Sequence, residues 1–269
     1  MYKVTIDNMD LRQIAESGQC FRWKKHEQQE NTYNVVAFGR SLDITQEENE
    51  FVLSCDENEW NEIWRDYFDL ETDYKGIAEK IHTSEDEHLK LAYSKGSGVR
   101  ILKQDLWEII VTFMISQNNN IPRIRKSVEL LCERAQVKTL DGKGYAFPGP
   151  GQVPAEVFED KTMGFGYRAG YLKEIYAYAE ENPKWLDSLR NLAYDEAMNC
   201  LLERKGIGKK VANCICLFGL HHVEAFPIDT HVKQFLQEYY SDGFDFERYE
   251  GVAGIIQQYL FYYELIKGR

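Results

Sequence analysis

The chain has 269 residues, 43% hydrophobic and 13% aromatic, which is enough apolar material for a sizeable core and argues for a folded protein. Forty-four acidic against thirty-two basic side chains give a formal charge of −12, so any nucleic-acid contact must come from a local basic face. The opening MYKVTIDNMD is too polar for a signal peptide and no apolar run reaches membrane length, so a cytoplasmic protein without membrane association is expected.

Residues 1–55 read mostly as strands. Tyr33–Phe38 is rich in β-branched and aromatic side chains, Leu42 and Ile44 alternate with polar neighbours, and Phe51, Leu53 and Cys55 repeat that alternation. Gly39-Arg40 and Glu47–Asn49 mark turns between them. After about residue 57 the period lengthens, and Trp60, Ile63, Trp64, Tyr67 and Phe68 fall on one helical face. Asp105 is placed to cap a helix with Leu106, Ile109, Ile110, Phe113 and Met114 facing inward. A further helix, Ile121–Cys132, follows a triple asparagine and has Pro122 in its first turn.

Residues 138–154 hold three prolines and four glycines and read as a surface loop. Helical segments are predicted at 155–163, 168–181, 186–191, 195–204, 209–221, 230–240 and 247–266. The fold class is therefore α+β: an N-terminal antiparallel sheet domain with flanking helices (1–95) packed on a mainly helical body (96–269). The cysteines at 20, 55, 132, 200, 214 and 216 lack paired-ligand spacing and are expected to be reduced and mostly buried.

The run Leu201–Leu236 carries the most chemistry. Ala197, Met198, Leu201 and Leu202 define one helix, which Asp195 is placed to cap, and Val211, Cys214, Ile215 and Phe218 define the next. Between them Gly206 and Gly208 flank one apolar residue, allowing a tight turn and close approach of another backbone. Free N–H groups at the new helix start can receive a phosphate oxygen, so such a hairpin holds a nucleic-acid backbone without reading bases. Lys210 stands one turn in, where the positive helix end and Lys209 favour its unprotonated, nucleophilic amine. Asp229 follows nineteen residues later, before a helix from Thr230, as a plain N-cap or as a carboxylate that stabilises a developing cation. Hairpins of this kind also occur in non-catalytic DNA-binding proteins, and Lys210 could merely neutralise a phosphate, the role expected of Lys209.

This hairpin closely resembles that of the helix-hairpin-helix, Gly/Pro-Asp superfamily of DNA glycosylases. Four segments in order narrow the resemblance to the eukaryotic-type 8-oxoguanine DNA glycosylases, which also occur in bacteria and archaea. Ser17–Trp23 (SGQCFRW) is similar to SGQxFRW, Ser116–Ile124 (SQNNNIPRI) to NNNIxRI, and Gly164–Ala169 (GFGYRA) to GxGYRA. GIGKKVANCICL followed by PIDTH is similar to GVGxKVADCICL followed by PVDxH.

The resemblance implies a bifunctional glycosylase and AP lyase that flips 8-oxoguanine out of duplex DNA, with Lys210 as Schiff-base nucleophile and Asp229 as its electrostatic partner. The Gly18 carbonyl would accept the N7–H that distinguishes the oxidised base. Cys214 and Phe261 would sandwich the base, and Gln257 would read its Watson–Crick edge. Asn118 would fill the hole, Tyr167 would wedge the stack, and Arg123 and Arg168 would bond the estranged cytosine. His231 would contact a phosphate beside the flipped nucleotide.

The resemblance implies no cofactor or metal, and one chain per lesion suggests a monomer. No cysteine follows Cys216, so the C-terminal iron–sulfur cluster of some related glycosylases is not expected. Asn213 departs from the usual aspartate. A monofunctional alkylated-base glycosylase and a silent DNA-binding scaffold are the alternatives. The acidic stretches Asp43–Asp73, Glu156–Asp160 and Tyr239–Glu250 are expected away from the cleft, with salt-sensitive binding as a consequence.

Overall fold

The computed structural model describes residues 1–241 and 243–267, so Asp242 of the third acidic stretch lies outside the described residues. Strands β1 (Tyr2–Thr5), β2 (Trp23–Lys25), β3 (Thr32–Ala37), β4 (Arg40–Glu47) and β5 (Glu50–Leu53) form one antiparallel sheet in the order β1-β5-β4-β3-β2. Alternation sends Tyr33, Val35, Leu42, Ile44, Phe51 and Leu53 to one buried face. That face packs on helix α1 (Leu11–Glu16) and on the aromatic side of α2 (Glu57–Glu59), a π turn at Trp60–Trp64 and α3 (Arg65–Tyr67). Helix α1 interrupts the expected run of strands because Asp10 accepts from the Gln13 amide at 2.8 Å, capping a short apolar repeat of Leu11, Ile14 and Ala15.

The helical body holds α4 (Tyr74–Thr83), α5 (Glu87–Gly96), α6 (Leu106–Ser116), α7 (Ile121–Ala135), α8 (Arg168–Glu181), α9 (Trp185–Arg190), α10 (Tyr194–Leu202), α11 (Lys209–Gly219), α12 (Thr230–Tyr239) and α13 (Ala253–Lys267). The apolar cores do not divide at residue 95. Trp60 to Phe68 belong with the sheet, whereas Tyr74, Ile77, Ile81, Leu89 and Tyr93 already join the helical core. Among the described residues no helix is long and apolar enough to cross a membrane.

Helix α6 departs from its one-sided prediction. Trp107, Val111, Thr112 and Ile115 are buried along with the expected face, because α7, α8 and α11 surround it. Its cap is as expected, with Asp105 accepting from the Glu108 amide at 2.9 Å. The segment 155–163 is two 3-10 turns, Ala155–Phe158 and Lys161–Met163, rather than one helix. Asp195 does not cap α10. The helix starts one residue earlier, and Glu196 accepts from the Ala193 amide at 3.2 Å.

The loop 138–154 is pinned at several points: the Leu140 amide donates to Gly39 O at 2.9 Å, and Trp107 Nε1 and Tyr176 OH both donate to Pro148 O. Among the described residues all six cysteines are free, and all but Cys200 are buried.

Candidate active site

The turn between α10 and α11 behaves as its two glycines require. Gly206 has φ +85, and a Cβ there would lie 2.6 Å from Tyr171 Cγ, so both conformation and packing demand glycine. At Gly208, the N-cap of α11, a Cβ would meet nothing within 4 Å. Nothing among the described residues requires glycine at that point, and the exposed helix start is placed to meet an outside group. Lys209 stands exposed in the first turn. Asn213 explains its own departure from aspartate: its Nδ2 donates to Lys209 O at 3.0 Å while its Oδ1 accepts from Tyr194 OH at 2.7 Å, joining α10 to α11.

Lys210 points inward from the same turn, its Nζ 5.4 Å from the centroid of the Phe113 ring on α6. Across from it Asp229 caps α12, with Oδ1 accepting from the Val232 amide at 2.9 Å. That bond fixes one carboxylate oxygen and defines the side chain's direction. Cys214, one turn beyond Lys210, is buried. Burial pushes its thiol above the usual range, Lys210 pulls it down, and Asp229 adds to the rise.

Lys210 and Asp229 line a small pocket of about 50 Å³ together with Gly18, Cys214, Gln257 and Phe261. These six come from the α1 turn, α11, the start of α12 and α13. Gly18 has φ +72, and a Cβ there would sit 3.1 Å from Phe261 Cε1. His231 sets its ring edge-on to Phe261 at 5.6 Å between centroids. Gln257 is buried with both ends of its amide taken: Nε2 donates to Pro227 O at 3.0 Å, and Oε1 accepts from Gln258 Nε2 at 3.1 Å.

A larger open cleft of about 750 Å³ lies over this pocket and shares Gly18, Phe113, Lys210, Asp229 and Phe261 with it. Asn118, Tyr167, Gly208, Lys209 and His231 also line it. Among the described residues Asp229 is the one acidic residue lining either cavity, so none of the described residues of the three acidic stretches contributes to their walls.

Tyr167 is 55% exposed and Asn118 Nδ2 donates to its hydroxyl at 3.4 Å. The two arginines part company. Arg123 is exposed on the first turn of α7. Arg168 is 7% exposed, and its guanidinium donates to Gln117 O, to Asn118 O at 2.9 Å and to Phe165 O at 3.1 Å. The expectation that both arginines face an estranged base therefore meets a structure in which only Arg123 projects outward, because Arg168 satisfies backbone carbonyls instead.

Sequence reasoning missed Phe113 beneath Lys210, which helical periodicity marks only as core. It also missed Gln117 and Gln258. Gln117 lies inside the SQNNN motif, but nothing in its type or spacing shows that its amide reaches the hairpin.

An antiparallel sheet beside a helical body, with a hairpin lysine and a helix-capping aspartate facing one small pocket, defines a helix-hairpin-helix DNA glycosylase. A family model described as the 8-oxoguanine DNA glycosylase N-terminal domain matches residues 1–110. The N-glycosylase/DNA lyase of Saccharomyces cerevisiae is 31% identical over 275 residues, covering 88% of this chain and 70% of that protein. The structure of MBOgg1 in complex with a low-affinity DNA ligand matches at TM-score 0.90 and 32% identity, over 99% of this chain and 96% of that one. The Clostridium acetobutylicum 8-oxoguanine glycosylase/lyase, bound to duplex DNA with cytosine opposite 8-oxoG, matches at TM-score 0.89 and 33% identity, covering 98% and 94%. The chain belongs to the 8-oxoguanine DNA glycosylase family.

Proposed function

We propose that this chain, as a monomer, excises 8-oxoguanine lying opposite cytosine in duplex DNA and then cleaves the strand at the abasic site. The observation that carries this reading is the convergence of Gly18, Cys214, Gln257 and Phe261 on the pocket that also holds Lys210 and Asp229. The pocket shares five lining residues with the open cleft, so a flipped base would enter it from that side. Phe261 and Cys214 would then flank the base, and Gln257 would exchange its bond with Gln258 for the base edge. The Gly18 carbonyl would accept the N7–H that guanine lacks, and guanine would present a lone pair there instead.

The Lys210 amine attacks C1′ as the C1′–N9 bond breaks, and the base departs with the bonding electrons and takes up the proton that the attacking nitrogen loses. Asp229 stabilises the positive charge on the sugar in that transition state. Ring opening gives a Schiff base on Lys210. Loss of a C2′ proton then expels the 3′ phosphate, which is β-elimination. The α11 start at Gly208 and Lys209, with His231, would grip the phosphates. Tyr167 and Asn118 would enter the stack, and Arg123 would bond the estranged cytosine.

Borohydride trapping on a duplex with one 8-oxoguanine opposite cytosine tests this, with Lys210→Gln alongside. The expected result is a covalent adduct with the wild type and none with the variant. Base release without trapping would instead assign a monofunctional glycosylase, and neither activity would leave a DNA-binding scaffold.

A further inference from the structure

Gln117 ends α6 and has no part in the chemistry above, yet three segments meet on it. Its Nε2 donates to Met114 O at 3.1 Å and to Gly206 O at 3.0 Å, so one amide bridges the end of α6 and the hairpin turn before Lys210. Its own carbonyl accepts twice from Arg168, through Nε at 2.6 Å and through Nη2. Arg168 continues to Asn118 O at 2.9 Å, and its guanidinium carbon lies 4.7 Å from the centroid of the Tyr167 ring.

The contacts close on themselves. Gly206 packs on Tyr171, Tyr171 meets Tyr167 edge-on at 6.2 Å, and Tyr167 OH accepts from Asn118 Nδ2. Asn118 has φ +45, a left-handed backbone that costs energy for a side-chain-bearing residue and persists where its surroundings dictate it. The bonds from Arg168 to the carbonyls of residues 117 and 118 supply that constraint.

We propose that Gln117 is a positioning residue that locks the Asn118–Tyr167 wedge in register with the hairpin carrying Lys210, so that base extrusion and attack on C1′ are aligned before DNA binds. Arg168 is the strut of the same unit. The inference rests on the glycosylase reading above and adds a coupling between its two halves. Without the amide bridge the wedge keeps its residues but loses its fixed distance to Lys210, and small misplacements at a reacting centre are costly.

The test compares wild type with Gln117→Met, which keeps length but loses the amide, and Gln117→Glu, which sets a carboxylate against two carbonyls. Single-turnover base release from 8-oxoguanine opposite cytosine is measured beside borohydride trapping on a preformed abasic site. An abasic nucleotide demands little extrusion, so its capture depends less on the wedge. The expected result is a loss of about 10–100-fold in base release with less than about threefold in abasic-site trapping, in both variants. A Gln117→Met protein that releases base at the wild-type rate overturns the proposal. So does an equal loss on both substrates, which is what general destabilisation would give. Wild type that releases no base would instead sink the glycosylase reading itself.

Discussion

Gly18 and Phe261 face each other from opposite ends of the chain, with a Cβ on Gly18 placed 3.1–3.2 Å from two carbons of the Phe261 ring. Both residues line the small pocket with Lys210 and Asp229. The α1 turn and the last helix therefore meet where a base would have to pass.

Gly18→Ala should separate base recognition from sugar chemistry. Left-handed backbone costs an alanine about 1 kcal/mol, and the added methyl presses on Phe261. Base release should fall about tenfold or more, while trapping on a preformed abasic site stays within about threefold. The melting temperature should drop by about 2–4 °C. Wild-type base release by the variant would show that this turn does not gate the pocket.

Asp229 serves as N-cap and as a charge facing the pocket, and asparagine distinguishes the two roles. It caps helices about as well as aspartate, so Asp229→Asn should change stability by less than about 1 kcal/mol. Loss of the charge should slow base release by about 100-fold or more. An active variant with lowered stability would assign Asp229 to capping alone.

Salt dependence should locate the phosphate grip. With −12 overall charge and lysines gathered at the cleft, DNA affinity should fall steeply as salt rises. Lys209→Ala should flatten the slope of log K against log salt by about one. Titrations at three or more salt concentrations would measure it, and an unchanged slope would remove Lys209 from the interface.

Glu108 on α6 gives the fold a pH dependence. Its carboxyl is pushed up to about 7 by burial, with Arg22 pulling it down and Asp105 adding to the rise. Arg22 Nη1 lies 3.8 Å from Glu108 Oε2. A carboxyl raised above its ordinary value of 4.5 holds its proton in the folded state, so its contribution is complete below that value. It is lost as pH rises toward about 7. Urea unfolding at pH 5 and 7.5 should show wild type less stable at the higher pH from this source. Glu108→Gln should shrink that difference by about 1 kcal/mol or more. An unchanged difference would mean that Glu108 does not titrate in this window.

Much of the architecture was legible because its signals are local. The sheet alternation of Leu42, Ile44, Phe51 and Leu53 and the cap at Asp105 depend on neighbours a few residues away. So does the paired-glycine turn before Lys210. The 155–163 segment and the start of α10 were misread by a turn or a residue, where helix ends compete with 3-10 turns and side-chain caps.

The sequence by itself determined the α+β division, the hairpin, the family resemblance and the pair Lys210 and Asp229, because spacing and residue type carry that information along the chain. Only the tertiary structure decided which of two matching arginines is available. Arg123 and Arg168 are equal as letters, but Arg168 is drawn inward by the carbonyls of residues 117, 118 and 165. It also decided that Gln117 reaches Gly206, eighty-nine residues away, and that Gly18 meets Phe261. Hydrogen bonds and packing between distant segments depend on where every intervening element lies, and no local pattern records that.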